Sequence, residues 1–513
     1  MSIFSITVTQ LGSLFVLLVS LKVLWEYFFS PLKEFPGPFA AKVTDAWRAS
    51  LTASGNIDTI TRGWHRKWGQ AVRIGPNTIS LSDTNLIKLV YASTSKAAWK
   101  KSKMYRVNDV VVNGHRISNI FNTQDEAFHS KYTKPIGGFW TLSRILELEP
   151  LMDETIHKFV SRLGNKFADN PKMVCMMDDW LTYFAWDFAA NATFGRHYGF
   201  IDEEKDVQGM IKESTGGLCY FAPVSQMPWL DNWLDKNPIY RLGPKPLVNG
   251  FLYTVKILAD YQKGLVEGTI ARTEVKTFIE KYNGLKDVYP DIADNNQVVN
   301  WLMLNVLAGG DSTAGALRPV VYYLAKYPES QRRLQAELSE ANLSLPAPWK
   351  EVNKLPYLDA VIREASRMSP AVGLMFEREA PSTGFQLPDG RFIPGGTVVG
   401  INPAVVTRDT DIFGAEIDDF VPERWLKKPD EDAGRFVHRR RRMEETTDFM
   451  FGAGSRVCMG KHFAKAEMYK LMATLYSMFY IQFSDPKGEW KCFNAWFMYQ
   501  SNMPMVITRL GED

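Results

Sequence analysis

The sequence predicts a mainly α-helical protein with small β-sheets and an N-terminal transmembrane anchor. The chain opens with an uncharged run from Ile3 to Leu21. Residues 72–83 are rich in β-forming residues around a Gly-Pro-Asn turn, which is typical of a hairpin. From about residue 126 onward, most of the sequence shows helical patterning. These three patterns predict an anchor, then a hairpin, then a mostly helical body.

The first element is the anchor, which we place at residues 1–29. A helix of about 20 mostly apolar residues is long enough to cross a bilayer. No basic segment precedes the run and no small-residue cleavage site follows it, so an anchor is favoured over a cleaved signal peptide. A helix of the protein core is the third interpretation. Four aromatic residues would lie at the membrane interface: Trp25, Tyr27, Phe28 and Phe29.

A proline-rich hinge follows at residues 30–39. It contains Phe35-Pro-Gly-Pro-Phe39, and two prolines around a glycine make a stiff connection. No repeat or further linker occurs later, so residues 40–513 are expected to form one large domain. The chain is 45% hydrophobic and 23% charged, which suits a globular protein with a large core.

Charge and cysteine content narrow the class of protein. The net charge of +3 is small for 513 residues and no basic domain stands out, which argues against nucleic acid as the main partner. The four cysteines have no paired spacing, which predicts a reducing compartment and gives no zinc signature. They are Cys175, Cys219, Cys458 and Cys492.

The stretch from Trp301 to Ala316 predicts a buried helix, because it is apolar on nearly every face up to Gly309. Two adjacent glycines, each costing about 1 kcal/mol relative to alanine, suggest a locally loosened helix. An acid and two hydroxyls follow: Asp311, Ser312 and Thr313. A carboxylate is costly to bury unless it is paired or functional. The alternative is that the hydroxyls bond back to helix carbonyls and bend the helix.

A second helical stretch, from Leu355 to Arg367, carries Glu364 and Arg367 on one face. As an exposed pair they would contribute only a few tenths of a kcal/mol, so this motif is weak by itself. It is joined downstream by Phe420-Val-Pro-Glu-Arg-Trp425. Between the two, residues 370–378 and 390–399 predict the strands and turns of a small sheet.

One cysteine follows a glycine-rich turn, in Phe451-Gly-Ala-Gly-Ser-Arg-Val-Cys-Met-Gly460. The sulfur of Cys458 would lie at a helix N-terminus, where free N–H groups and the helix dipole favour an anion. Gly454 and Gly460 can adopt conformations closed to other residues, so main-chain amides can approach the sulfur. A cysteine thiolate is one of the few axial ligands of haem iron, and Arg456 could reach a carboxylate of the same ligand. An isolated cysteine would more often be structural.

Five positions of this stretch match the haem-binding loop of the cytochrome P-450 superfamily of haem-thiolate monooxygenases: Phe451, Gly454, Arg456, Cys458 and Gly460. With its other motifs in the right order, the chain resembles this superfamily over essentially its whole length after residue 35. Two stretches also look like fungal microsomal pisatin-demethylase-type members: His129-Ser-Lys-Tyr-Thr-Lys-Pro-Ile136 and Gly373-Leu-Met-Phe-Glu-Arg378.

The resemblance implies a haem-thiolate monooxygenase fold in which residues 40–513 are the catalytic domain. It implies haem b, with Cys458 as the axial ligand of the iron. Electrons would come from NADPH through a separate flavoprotein reductase. The protein would span the endoplasmic reticulum membrane once, with its catalytic domain in the cytosol. It would hydroxylate or otherwise oxidise a lipophilic small molecule in fungal secondary metabolism.

The resemblance also implies roles for single residues. Asp311 and Ser312 look like the acid and the alcohol of the oxygen-activating helix, with Ser312 in place of the usual threonine. Ser312 would orient the water that delivers protons, while Thr313 would bond within the helix or line the pocket. A Glu–Arg–Arg cluster with a structural role would consist of Glu364, Arg367 and Arg424.

Binding of the haem propionates is expected to involve His129. Thr133 stands where the superfamily usually has an arginine, and the adjacent Lys134 is the candidate substitute. Many relatives place another propionate-binding residue after Pro370. Leu374 and Met375 fall near that place and are expected to line the substrate pocket instead.

Two further segments have open interpretations. Residues from about 200 to 255 occupy the place of the superfamily's mobile substrate lid, and an irregular surface segment is the alternative. The basic run His438–Arg442 is by default a solvated loop. Because it lies shortly before the cysteine loop, it could also dock an acidic electron donor, together with Lys461 and Lys465.

Two other functions remain open. One is a haem-thiolate isomerase or dehydratase that needs no reductase, although the Asp311–Ser312 pair argues against it. The other is a membrane protein that binds haem or a sterol without catalysis. Dependence on NADPH distinguishes the monooxygenase from the first, and product formation distinguishes it from the second.

Overall fold

The computed structural model describes residues 8–91, 99–112, 114–170, 172–244, 248–270 and 275–511. Within these ranges the helices of nine or more residues are α1 (Val8–Phe28), α2 (Asp45–Ala53), α3 (Ile57–Trp68), α4 (Glu126–Gly137), α5 (Glu149–Leu163), α6 (Met177–Phe194), α7 (Met210–Val224), α8 (Val248–Glu267), α9 (Asn295–Lys326), α10 (Pro328–Ala341), α11 (Pro356–Met368), α12 (Ala433–Asp448) and α13 (Lys461–Met478). Shorter α-helices lie between them: Phe39–Val43, Ile87–Val90, Leu142–Leu146, Phe200–Glu203, Phe278–Asn283, Leu285–Val288, Trp349–Val352, Pro403–Val406 and Thr410–Phe413.

The strands are short: β1 (Ala71–Gly75), β2 (Thr78–Leu81), β3 (Lys100–Lys101), β4 (Val110–Val112), β5 (His115–Ile117), β6 (Cys175–Met176), β7 (Phe376–Glu379), β8 (Phe385–Gln386), β9 (Phe392–Ile393), β10 (Val398–Ile401), β11 (Phe479–Phe483), β12 (Lys491–Ala495), β13 (Phe497–Ser501) and β14 (Pro504–Arg509). Five form one sheet in the order β1-β2-β10-β7-β3, and three form another in the order β11-β14-β6. The remaining strands pair as β4–β5, β8–β9 and β12–β13. The mainly helical fold with small sheets is therefore confirmed.

Both β predictions are confirmed in detail. The hairpin predicted over residues 72–83 is β1 and β2, which pair antiparallel with Arg73 opposite Ile79. The strands predicted in the two segments near residues 370–399 include β7 and β10, which also pair antiparallel. Strand β10 joins the two pairs into one sheet by lying parallel to β2.

The longest helix, α9, runs through the larger hydrophobic core. It begins after Asp294, whose side chain accepts a hydrogen bond of 2.7 Å from the N–H of Gln297. Leu302, Leu317 and Val320 of α9 are fully buried within that core. The helix packs against α6, α8, α11 and α13, and against β13. The predicted buried helix is thus confirmed, and it extends beyond both ends of the predicted stretch.

A second hydrophobic core lies between the five-stranded sheet and α7. Ile79 and Val399 contribute from the sheet, Phe221 from α7, and Trp496 from the turn between β12 and β13. Helix α7 also packs on α2 and on β12. This helix therefore covers the sheet side of the molecule and contacts α9 from that side.

Helix α1 is the candidate anchor. Its stretch Thr9–Phe28 has the length and apolar composition to cross a membrane, and no residue in it is buried within the protein. Its last turn is attached to the body, because Glu26 accepts a hydrogen bond of 2.7 Å from the guanidinium of Arg73. The Arg73 side chain is fully buried and also donates to the carbonyl of Pro76 at 2.7 Å. The first seven residues of the predicted anchor lie outside the described residues.

The segment predicted as a lid or an irregular surface, residues from about 200 to 255, contains both helices and irregular chain. Helices α7 and α8 occupy its two sides, and residues 225–244 between them contain only short turns. That connection exposes Trp229, Trp233 and Tyr240. It is fixed to the β4–β5 region by the ammonium of Lys236, which donates to the carbonyl of Val107 at 3.1 Å.

Candidate active site

The cysteine loop leads directly into α13. The N–H of Cys458 donates to the carbonyl of Phe451 at 2.7 Å, which closes the loop. Gly454 has a φ of +67°, and Gly452 has a φ of +75°, both in the region that favours glycine. Gly460 has a φ of −76°, so the expectation that its backbone requires glycine is wrong. The position that the sequence reasoning missed is Gly452.

The Cys458 thiol is accessible to solvent but surrounded by protein. Burial raises the pKa of the thiol, and hydrogen bonds from the N–H groups of Gly460 and Lys461, together with the Lys461 charge, lower it. A metal ion bound to the sulfur would deprotonate it outright. The amides therefore already point at the atom that would carry the negative charge.

The middle of α9 is accessible on one face. Ala308 is exposed and Ser312, one turn later, is half-buried, although the neighbouring parts of the helix are buried. The hydroxyl of Ser312 donates to the carbonyl of Ala308 at 2.5 Å. The helix continues without interruption through this bond, so the hydroxyl bonds back to its own helix without ending it.

Asp311, the residue before Ser312, is buried, with 2% of its surface exposed. Its carboxylate accepts three hydrogen bonds: 3.0 Å from the indole N–H of Trp186, 2.7 Å from the hydroxyl of Ser214, and 3.0 Å from that of Tyr499. Burial raises the pKa of Asp311, and these bonds together with the charge of Arg318 oppose the rise. The acid is therefore held by neutral donors from α6, α7 and β13.

The two glycines before Asp311 allow α6 to approach α9. A Cβ atom at Gly310 would lie 2.7 Å from the ring of Trp186, and one at Gly309 would lie 3.2 Å from the Cβ of Ala189. These residues belong to α6, whose indole binds Asp311. The glycines were expected to loosen the helix, whereas in the structure they allow close packing.

Thr313 faces a different neighbour from Ser312. It is buried and its hydroxyl lies beside the carboxyl of Glu467 on α13, whose pKa it acts to lower. Burial raises the pKa of Glu467 well above its ordinary value. The two adjacent hydroxyls are thus separated by the turn of the helix, and only Ser312 reaches the accessible face.

Glu364, Arg367 and Arg424 are brought together by the structure. The carboxylate of Glu364 accepts hydrogen bonds of 2.8 Å from each arginine. It also accepts bonds from the indole N–H of Trp425 at 2.8 Å and the amide of Val421 at 3.0 Å. Burial alone would raise the pKa of Glu364, but these bonds and charges hold it below its ordinary value. The pair is fully buried, which changes the weak exposed pair of the sequence interpretation into a strong one.

A family model for cytochrome P450 matches residues 51–507. The chain belongs to the cytochrome P450 family. The cytochrome P450 monooxygenase cfoH of Aspergillus candidus is 33% identical over 500 residues, covering 96% of this chain and 92% of the relative. The cytochrome P450 monooxygenase cicH of Emericella nidulans is 33% identical, covering 94% of this chain and 96% of the relative. Against the monooxygenase mpaDE of Penicillium brevicompactum the identity is again 33%, but the match spans only 55% of that relative.

Membership of the family makes this protein a haem-dependent monooxygenase. The family implies a haem whose iron is bound by a cysteine thiolate. Of the four cysteines in the chain, Cys458 is the one that lies in the loop described above. The family match thereby confirms the predicted superfamily and enzyme class, while the narrower resemblance to pisatin-demethylase-type members stays a prediction.

A cluster of buried cations indicates whether this P450 can accommodate the propionates of a haem. Lys101 on β3 lies opposite Arg378 on β7, and both are almost fully buried. The side chain of Arg456, from the cysteine loop, is 5% exposed. Burial lowers the pKa of Lys101 well below its ordinary value, and the charges of Arg378 and Arg456 lower it further. Of these three cations only Arg456 has an ion pair among the described residues, with Glu126, so the two propionates of haem fit the positive charge that stays unbalanced.

The predicted propionate residues are placed on two sides of α4. His129 is half-buried close to Arg456, and burial together with that charge lowers the pKa of the imidazole to about 4. A neutral His129 can still donate one N–H. Lys134 is exposed, and the hydroxyl of Thr133 bonds to the carbonyl of His129 at 2.7 Å. Arg456 binds Glu126 of the same helix at 2.8 Å.

Lys101 and Arg378 were missed by the sequence reasoning. Arg378 ends the stretch that resembles the fungal members, in which only Leu374 and Met375 are predicted to line a site. In the structure Leu374 packs in the second core with Phe221 of α7, whereas Met375 packs with residues of β1. Only Leu374 therefore lies beside the predicted lid.

The basic run His438–Arg442 belongs to α12, so the interpretation as a solvated loop is wrong. Asp432 caps this helix by accepting from the N–H groups at residues 434 and 435. Helical spacing turns two arginines inward: Arg439 bonds to Glu431 at 2.7 Å, and Arg440 bonds to Asp359 at 2.7 Å. Arg441 and Arg442 remain exposed. Of the four arginines in this run, only these two belong to an exposed surface that a partner could contact.

Proposed function

We propose that this P450 is a membrane-anchored monooxygenase of fungal secondary metabolism that oxidises a lipophilic small molecule. Its electrons come from NADPH through a flavoprotein reductase. The observation that carries the proposal is Cys458, a solvent-accessible thiol in the closed loop before α13 with two backbone N–H groups directed at its sulfur. The matching fungal monooxygenases support the same function.

The residues that would hold haem b follow from the two clusters described above. Cys458 would ligate the iron, and the cations Lys101, Arg378 and Arg456 would bind the propionates. The neutral His129 would add one N–H donor at that edge. When bound, haem supplies the binding and activation of dioxygen.

The protein itself would manage the protons. Ser312 holds a proton on its hydroxyl at the accessible face of α9, where it can exchange its bond to Ala308 for one to water. Asp311 lies next in the chain and carries a carboxyl whose raised pKa suits proton exchange. We assign Asp311 as the proton reserve and Ser312 as the group that orients the delivered water. Thr313 is assigned to packing, because it is buried beside Glu467 of α13.

Apolar side chains favour a lipophilic substrate. Phe221 of α7, Leu374 before β7 and Trp496 before β13 are mostly buried members of the second core. Residues of this kind exclude water from a bound molecule and offer it few polar partners. Helix α1 would place the same catalytic domain at the endoplasmic reticulum membrane, on the cytosolic side.

The exposed part of α12 is proposed as part of the docking surface for the reductase. Arg441 has 72% of its side chain exposed, and Lys88 has 76% exposed beside the same Glu445. Lys461 and Lys465 both pair with Asp448, so they contribute less free charge than the sequence alone suggests. An acidic donor would be attracted by the exposed cations in a salt-dependent way.

The ligand assignment is tested with the purified holoenzyme. The reduced, carbon-monoxide-bound protein is expected to show the strongly red-shifted Soret band of a thiolate-bound haem, and Cys458→Ala is expected to lose it. Cys492→Ala is the matched control and should keep the band, because Cys492 lies on β12 outside the loop. Retention of the band by Cys458→Ala contradicts the assignment.

Electron supply is tested by reconstitution with a fungal flavoprotein reductase. NADPH consumption and an oxygenated product that incorporates label from ¹⁸O₂ are expected only when the reductase is present. Turnover of a substrate without reductase or NADPH would instead identify the isomerase or dehydratase. Ligand binding without any product under all conditions would identify a non-catalytic protein.

A further inference from the structure

The carboxyl of Asp311 is held by three parts of the fold at once. Trp186 reaches it from α6, Ser214 from α7 and Tyr499 from β13. None of these residues belongs to the motifs that identify the family. Each donor is neutral, so no side chain that bonds to the carboxylate carries a compensating charge.

Two of the three donors are linked to each other through α7. Thr215, next to Ser214, lies beside the hydroxyl of Tyr499 and acts to lower the pKa of that phenol. Helix α7 therefore contacts Asp311 directly through Ser214 and indirectly through Thr215 and Tyr499. The same helix contributes Phe221 to the apolar core proposed to contact the substrate. Helix α7 thus contacts both the apolar core proposed for the substrate and Asp311 of α9.

We propose that Ser214 and Tyr499 are positioning residues that fix the Asp311 carboxyl, so that helix α7 controls proton delivery during oxygen activation. The inference rests on the proposed proton role of Asp311 and Ser312. Trp186 supports the opposite oxygen of the carboxylate, and the absent Cβ of Gly310 is what admits its ring. The arrangement couples the position of α7 to the protonation state of the Asp311 carboxyl on α9.

The charged and polar groups around Asp311 determine the direction in which substitutions are expected to shift its pKa. From its own helix it faces Arg318, whose guanidinium bonds to the carbonyl of Asp178 at 3.2 Å. From β13 it faces the phenol of Tyr499, whose pKa burial raises well above its ordinary value, so it stays a neutral donor. From α7 it faces Ser214 and Thr215, while the nearby Glu213 bonds to Asn249. From α6 the indole of Trp186 bonds to it, while Asp178 and Asp179 of the same helix act on the charge of Arg318.

Because each bond favours the ionised carboxylate, losing one raises the pKa of Asp311 further. Ser214→Ala and Tyr499→Phe are each expected to shift its titration upward by about one pH unit, a tenfold change in the protonation constant. Ser214→Thr keeps a hydroxyl and is expected to restore most of the original value. Ser225→Ala is the matched control, since its hydroxyl lies on the end of the same helix and bonds to the carbonyl of Ala222.

The measurement is an infrared pH titration of the holoenzyme with labelled aspartate, which follows the C=O band of a protonated carboxylic acid. Asp311→Asn assigns the band, and the thiolate Soret band shows that each variant is folded. The proposal is supported when the band moves to higher pH in Ser214→Ala and Tyr499→Phe but not in Ser225→Ala. An unchanged midpoint in both variants, or no band removed by Asp311→Asn, overturns it.

A second readout separates this inference from the proposed function. Product formed per NADPH is measured against pH in the same variants. If the proposed function is right, the wild type forms product, and the pH dependence of coupling in Ser214→Ala follows its infrared shift. If the infrared shift occurs but coupling is unchanged, control of proton delivery is overturned while the monooxygenase function stands. If no reductase supports product formation in the wild type, the proposed function fails, and the infrared result still decides what holds Asp311.

Discussion

Two buried carboxylates of this P450, Glu364 and Asp311, are held in opposite ways. Glu364 is paired with Arg367 and Arg424, and its pKa lies below the ordinary value. Asp311 accepts bonds from neutral donors only, and its pKa lies above the ordinary value. Burial acts in the same direction on both groups, so the difference comes from their partners.

The comparison shows how the same chemical group serves structure in one region and proton transfer in the other. A carboxylate fixed between two guanidinium groups keeps its charge at physiological pH and ties α11 to the chain around Arg424. A carboxyl among hydroxyls and an indole can change its protonation state at lower energetic cost. We therefore expect substitutions near Glu364 to reduce stability and substitutions near Asp311 to change coupling.

The largest expected effect tests the structural role of Glu364. Glu364→Ala removes one member of a buried ionic cluster and leaves two arginines without their anion, which typically destabilises a protein by about 3–5 kcal/mol. The free energy of unfolding is measured by urea denaturation of the holoenzyme. Glu329→Ala removes an exposed carboxylate that pairs with Arg332 at the same i, i+3 spacing and should cost less than about 0.5 kcal/mol.

The same cluster gives a pH dependence. Because the folded-state pKa of Glu364 is lowered, its contribution to stability is complete above the unfolded-state pKa and is lost as the pH falls through the folded-state value. The wild type should therefore lose stability progressively below about pH 5, and this acid-dependent loss should be smaller in Glu364→Ala. Equal acid sensitivity in the two proteins would show that other carboxylates dominate.

The second effect concerns the packing that brings Trp186 to Asp311. Gly310→Ala places a methyl group 2.7 Å from the indole and should destabilise the protein by about 1–3 kcal/mol. It should also reduce the product formed per NADPH, because the indole must move away from the carboxylate. Gly216→Ala, in α7, is the control: a Cβ there meets nothing within 4 Å, and alanine should be neutral or stabilising. A neutral Gly310→Ala would mean that Trp186 can shift freely.

A third prediction separates the two adjacent hydroxyls. Ser312→Ala should keep most of its stability but consume NADPH with more peroxide and several-fold less product, because it loses the accessible proton donor. Ser312→Thr should be tolerated. Thr313→Ala should stay coupled and lose about 1 kcal/mol of stability, since its buried hydroxyl lies beside the carboxyl of Glu467. The opposite pattern would exchange the two roles.

The smallest expected effect concerns α12. The arginines of its basic run also differ in their partners, because two are exposed and two turn inward to form ion pairs within the protein. Changing Arg441 and Arg442 to glutamine should slow reduction by the reductase a few-fold at low salt and leave stability unchanged. Changing Arg439 and Arg440 should lower stability, because Glu431 loses its ion pair and Asp359 keeps only its pair with Arg363. Stopped-flow reduction and thermal unfolding distinguish the pairs. Equal reduction rates in all variants would remove α12 from the docking surface.

Contiguous motifs explain what the sequence could predict. The cysteine loop and the helix around Asp311 each place their functional groups within about ten residues, so spacing alone indicates the geometry. The partners of Asp311 are different, because they lie 97, 125 and 188 residues away in the chain. Nothing in the sequence of Ser214 or Tyr499 indicates that they meet at one carboxylate, since tertiary packing alone brings them together.

Dependence on tertiary contacts also explains why the buried cations and the helical arginine run could not be predicted from the sequence. Lys101 belongs to a strand of two residues whose position is set by pairing with β7, too short to show any periodic pattern. The run at residues 438–442 resembled a solvated loop because of its charge density. Its cap at Asp432 and its ion pairs with Glu431 and Asp359 make it a helix instead.

The bond between Arg73 and Glu26 has a consequence for anyone who prepares this enzyme without its apolar helix. A cut placed after residue 28 removes Glu26 and leaves a fully buried guanidinium facing backbone carbonyls alone. Losing a hydrogen bond between charged groups costs about 1.5–3 kcal/mol. A shortened protein that begins just before Glu26, or one in which Arg73 is replaced by methionine, should express and crystallise better than the cut at the helix end.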